Sequence, residues 1–85
     1  MARFDVLVRV MPRDTLLDPQ GQAVGQALTS LGFAGVGDVR VGKAVTFQLD
    51  RPDEVAAERD ARAMCERFLA NPVTEAFTVF VEGAS

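Results

Sequence analysis

Hydrophobic and polar residues alternate along the first eleven positions, with Phe4, Val6, Val8 and Val10 on one side and Asp5, Leu7, Arg9 and Met11 on the other. A period of two predicts a strand from Arg3 to Met11. Its second side is not wholly polar. Leu17-Asp18-Pro19-Gln20-Gly21 then turns a polar loop into a helix, because Asp18 suits the N-cap and Pro19 the first helical position, where a missing N–H costs nothing. Ala23, Val24, Ala27, Leu28 and Leu31 keep one stripe apolar at helical spacing, and Gly32 follows at the C′ position. A helix from about Pro19 to Leu31 is expected. Gly21 and Gly25 inside it point to a close approach of another backbone or subunit, or to a slightly weak helix held by packing.

Val39 and Val41, then Val45, Phe47 and Leu49, predict strands over Asp38–Val41 and Ala44–Leu49. Gly42-Lys43 between them fits a two-residue type II′ hairpin, the alternative being one long strand with a bulge at Gly42. Asp50-Arg51-Pro52-Asp53-Glu54 opens a second helix with Pro in its first turn and acids at the positive end of the dipole. Val55, Ala61, Met64, Cys65, Phe68 and Leu69 are its expected buried stripe, with Glu58–Arg62 and Arg62–Glu66 as pairs on the wet side. Asn71-Pro72 ends that helix, Asn71 being suited to a left-handed C-cap. Thr74–Val81 is a last strand, with Phe77, Val79 and Val81 facing one way and Ala76, Thr78 and Phe80 the other.

The order strand, helix, strand, strand, helix, strand predicts one α+β domain over residues 1–85. It is a ferredoxin-like βαββαβ sandwich, a four-stranded antiparallel sheet with both helices on one face. Leu7, Ala44 and Phe80 leave apolar material on the outer face, which predicts self-association there, face to face or by edge-strand pairing. The overall hydrophobic content of 48% is high for 85 residues and points the same way.

Nine basic against twelve acidic residues leave a net charge of −3, with no cationic stripe to follow a phosphate backbone, so no nucleic-acid partner is expected. No apolar run reaches membrane-spanning length and no leader is legible after Met1, so no membrane partner and a cytoplasmic location are expected. There is no His, one Cys and one Lys, which excludes the common zinc sets and the Ser-His or Cys-His nucleophile pairs. Cys65 falls within the apolar stripe and reads as a buried thiol. Gly32 to Gly37 is glycine-rich but has no Walker spacing and leads into a strand, so it is a helix cap and turn.

The ordered set Leu17-Asp18-Pro19-Gln20-Gly21 with Ala23-Val24, Leu31-Gly32, Asp38-Val39-Arg40-Val41-Gly42-Lys43, Met64-Cys65-Glu66 and Leu69-Ala70-Asn71-Pro72-Val73 resembles the PurS family, the small subunits of phosphoribosylformylglycinamidine synthase. The resemblance covers almost the whole chain. It implies a non-catalytic role in an ATP- and glutamine-dependent complex of purine biosynthesis. Chemistry there lies on a PurQ-type glutaminase and a PurL-type synthetase, with ATP and magnesium used by the latter. PurS would form a homo-oligomer, a dimer or dimer of dimers, and bridge the two while assisting ammonia transfer. No catalytic residue, cofactor or metal is expected on this chain. Asp18, Gln20, Arg40, Gly42, Lys43 and Asn71 are the candidate partner contacts, each with a plainer role open to it: Asp18 as cap, Asn71 as C-cap, Gly42 as turn residue, the basic side chains as solvated. A dimeric ferredoxin-like module that binds a small regulatory molecule is the alternative.

Overall fold

The structure is a computed structural model that describes residues 1–14 and 17–83. Strand β1 (Ala2–Pro12) is followed by helix α1 (Pro19–Ser30), strand β2 (Lys43–Arg51), helix α2 (Glu54–Met64), a π-helical turn (Cys65–Leu69) and strand β3 (Glu75–Gly83). The β1 strand is central and antiparallel to both neighbours, giving the order β2-β1-β3. Val6 lies opposite Phe47 and Val81, and Val8 opposite Val45 and Val79. The predicted alternation therefore holds: Phe4, Val6, Val8 and Val10 are buried, and their cross-strand partners lie on the same face.

The α2 helix covers that face. Ala56, Ala57, Ala61 and Cys65 are buried against it, and such small side chains let the helix axis approach the sheet closely. Asp53 caps the helix by accepting from the Ala56 amide at 2.8 Å, so Pro52 stands just outside the helix and not in its first turn. Two members of the expected stripe are on the outside, Val55 at 75% and Phe68 at 87% exposure. At 100° per residue Val55 lies roughly 120° round the helix from Ala61, too far to share its stripe. Phe68 is displaced because the chain widens after Met64: the Ala70 amide reaches back five residues to the Cys65 carbonyl at 3.0 Å, and the wider turn keeps Cys65 and Leu69 inward. The Glu58–Arg62 pair is present at 3.2 Å.

Two larger expectations are corrected. Among the described residues the sheet has three strands, because residues 38–42 join no ladder, so neither the Gly42-Lys43 hairpin nor the bulged strand is present. Gly42 instead crosses the end of β1 so closely that a Cβ there would overlap the Val10 carbonyl and the Met11 sulfur. The helices also do not share one face. The α1 helix leaves the sheet, and of its residues only Gly21 is buried. The molecule is consequently long and thin, 51 × 30 × 14 Å, with a radius of gyration of 16.4 Å. A compact chain of this length would have about 12 Å.

Candidate functional site

Most of the candidate residues meet at the end of β1, where the α1 arm is tied to the sheet. Asp18 has two tasks there. One carboxylate oxygen caps α1 by accepting from the Gly21 amide at 2.9 Å, and the other accepts from the Val41 amide at 3.0 Å. Pro19 occupies the start of the helix and Gly32, at φ 100°, follows its end, as the sequence predicts. These two amides, and then the Arg40 charge, hold the Asp18 carboxyl below the usual carboxylate range.

Arg40 fastens the returning limb of the arm to the loop that leaves β1. Its guanidinium donates to the carbonyls of Pro12 at 3.0 Å and Arg13 at 2.6 Å and to the Asp14 carboxylate at 3.3 Å. Its Nε stands 3.8 Å from the Asp18 carboxylate and makes no hydrogen bond. The planar fork suits this task, since it can serve several acceptors lying in different directions. Gly21 is where the two limbs of the arm touch: a Cβ there would overlap the Val39 carbonyl. Close backbone approach, one of the two readings offered for the helix glycines, is thus correct at Gly21.

Asn71 reaches the same end of the molecule by another route. Its side chain accepts from the Val73 amide at 3.0 Å and its amide donates to the Glu75 carboxylate at 2.7 Å, so it shapes the turn into β3. It is not a left-handed cap, since Asp38, at φ 53°, is the one non-glycine residue of positive φ among those described. Arg13 links this turn to the joint, donating from its guanidinium to the Pro72 carbonyl at 2.7 Å and from its amide to the Thr74 carbonyl at 3.0 Å. Nothing in the local pattern singles out Arg13, whose partners lie about sixty residues away. Gln20 and Lys43 are exposed beside the joint, Lys43 opposite Val10 as the first residue of β2.

Between α1 and residues 36–40 lies an open groove of about 860 Å³, lined by Asp14, Gln22, Gln26, Thr29, Val39 and Arg40 among others. It offers the carboxylates of Asp14, Asp18 and Asp38, side-chain amides, hydroxyls and one guanidinium. Cys65 lies on the far side of the sheet face under α2, fully buried, and burial pushes its thiol above the usual range. The arrangement positions the α1 arm against the end of β1.

On the outer face of the sheet Leu7 and Phe80 stand opposite each other, with the Arg9 guanidinium 5.8 Å from the Phe80 ring. They are surrounded by charge: Arg3 pairs with Asp50 at 2.9 Å, and Gln48 donates to Asp5 at 2.8 Å. The apolar material expected there is real but small and enclosed by ions.

Residues 5–83 match the model of the family described as PurS: Phosphoribosylformylglycinamidine (FGAM) synthase. The chain is similar to the synthase subunit PurS of Synechocystis, 43% identical over 80% of this chain and 68% of that one. It is also similar to that of Mycobacterium leprae, 40% identical over 93% and 94%. The solved PurS of Bacillus subtilis superposes with a TM-score of 0.82 at 38% identity, covering 93% of this chain and 98% of that one. A chain of the PurLQS structure from Thermotoga maritima superposes with a TM-score of 0.89 at 26% identity, over 96% and 100%. Matched by that family's model over residues 5–83 and similar to these proteins along nearly its full length, the chain belongs to the PurS family of FGAM synthase subunits.

Proposed function

We propose that this chain is the small accessory subunit of an ATP- and glutamine-dependent FGAM synthase, joining a PurQ-type glutaminase to a PurL-type synthetase and assisting ammonia transfer. The observation that carries the reading is its likeness to a chain of the PurLQS structure along nearly its whole length. The residues agree with an accessory role, since the single thiol is buried and the polar groups of the joint are spent on holding the α1 arm.

Ammonia is protonated readily in bulk water, so keeping the releasing and consuming sites in register has a direct chemical purpose. The synthetase partner uses the ATP and magnesium, and the complex works in the cytoplasm. Gln20 and Lys43, exposed at the joint, are contacts for the partner chains, whereas Asp18, Arg40, Gly42 and Asn71 set the shape those partners meet. The chain acts as a homo-oligomer, supported by the apolar side chains that α1 and the following turn leave in solvent.

Reconstitution tests this reading. Glutamine-dependent synthesis by the two partner subunits is expected to be lost when this chain is omitted, while ammonia-dependent synthesis by the synthetase persists in part. Equal glutamine-dependent rates with and without the chain would overturn it.

A further inference from the structure

We infer that the outer face of the sheet docks a segment of a different protein chain, one that presents an arginine or lysine beside an apolar side chain and sets its cation against Asp5 and Glu82. The inference rests on the accessory-subunit reading above and names a surface through which such a subunit meets a partner.

Asp5 and Glu82 stand directly opposite each other in the β1–β3 register. Like charges in that position repel, so the pair weakens the sheet that carries it. Among the described residues no cation forms an ion pair with either carboxylate. Arg3, two positions along β1, has its guanidinium committed to Asp50 at 2.9 and 3.0 Å and to the Gln48 side chain at 3.1 Å. Asp5 accepts from the neutral Gln48 amide at 2.8 Å, which leaves its charge in place.

Beside the carboxylates lies an apolar shelf. Leu7 stands opposite Phe80, the two being 38% and 47% exposed, in an open groove of about 620 Å³ whose sides include Thr46 and Gln48. Two positions further along β1 is Arg9, with its guanidinium 5.8 Å from the Phe80 ring. Along the strand the face therefore runs from a cation, through apolar side chains, to two anions.

That order selects the occupant. A small cation would gain little from two solvated carboxylates and would leave the shelf wet. An arginine or lysine of a partner chain satisfies both features, because its aliphatic stem and an apolar neighbour cover Leu7 and Phe80 while its charged end reaches the acids. A second copy of this chain suits the face poorly. It would bring the same two acids, and its own outer-face cations, Arg3 and Arg9, are already engaged by Asp50 and by the Phe80 ring.

Reconstitution with the PurQ-type and PurL-type subunits tests this. Glu82→Lys relieves the repulsion at Asp5, so its melting temperature should not fall, which separates a docking role from a structural one. The concentration of this chain that gives half-maximal glutamine-dependent synthesis is nevertheless expected to rise about tenfold, with the saturated rate unchanged, and Glu82→Gln should lie between. Thr46→Cys, labelled with benzophenone maleimide while the buried Cys65 stays unreacted, is expected on irradiation to join this chain to one of the two partner subunits. An unshifted half-saturation for Glu82→Lys, or irradiation that joins only copies of this chain, would overturn the docking surface and leave the accessory role standing. Glutamine-dependent synthesis that does not need this chain would overturn both.

Discussion

Arg40 donates to the carbonyl of Pro12 at 3.0 Å across twenty-eight positions of sequence, and so closes the α1 arm onto the end of the strand from which it departs. The contact is charge-assisted and the side chain is mostly sheltered, with 18% of its surface exposed. Truncating it removes the donor of the half-buried Pro12 carbonyl and of the exposed Arg13 carbonyl and Asp14 carboxylate. Arg40→Met is expected to destabilise the chain by about 2 kcal/mol, and Arg40→Lys to recover only part of this, because an ammonium cannot reproduce the planar fork. Urea unfolding followed by circular dichroism measures both, and an Arg40→Met variant as stable as the parent would show the joint to be passive.

Asp18, Asp50 and Asp60 all have carboxyls held below their ordinary value, for different reasons: the Gly21 and Val41 amides at Asp18, the hydrogen-bonded Arg3 at Asp50, and the hydrogen-bonded Arg51 and then Arg59 at Asp60. A carboxyl whose folded pKa is depressed contributes stability above its unfolded value, near 4, and loses it as pH falls through the folded one. The melting temperature is therefore expected to be level between about pH 5 and 7 and to decline below about pH 4. Asp18→Asn should make that decline shallower. Added salt should weaken the exposed Arg3–Asp50 pair most, the half-buried Arg51–Asp60 pair less, and spare Asp18, whose main partners are amides.

Gly21 and Gly32 answer the same substitution differently. Alanine at Gly21 meets the Val39 carbonyl, so α1 and the returning limb must separate, and a loss of about 3 kcal/mol is expected. Gly32 has open space around it and bears only the strain of φ 100°, for which about 1 kcal/mol is expected. Comparable losses at the two positions, read from thermal melts, would contradict the close approach.

Val8 and Phe68 reverse the usual ranking by size. Val8 is wholly buried at the centre of the sheet, and Val8→Ala is expected to cost about 2 kcal/mol. Phe68 is 87% exposed on the π-helical turn, and Phe68→Ala should change stability by less than about 0.5 kcal/mol despite removing a ring. Denaturant midpoints of the two variants check this directly.

The sequence by itself determined the three strands, their inward faces, both helices and the Asp18 and Gly32 ends of α1, because each depends on a two- or 3.6-residue period or on a cap whose partners lie within one turn. It also revealed the family, through the ordered set of motifs along the chain. Only the tertiary structure decided where α1 lies and whether residues 38–42 pair with β2. Those outcomes depend on contacts distant in sequence: Arg40 with the Pro12 and Arg13 carbonyls, Val41 with the second oxygen of Asp18, and Gly42 against Met11. The same Val39-Val41 alternation satisfies a hairpin and an unpaired tether equally well. Which of them forms is set by the direction in which the joint points the arm, a property of the assembled end of β1 that no local period encodes.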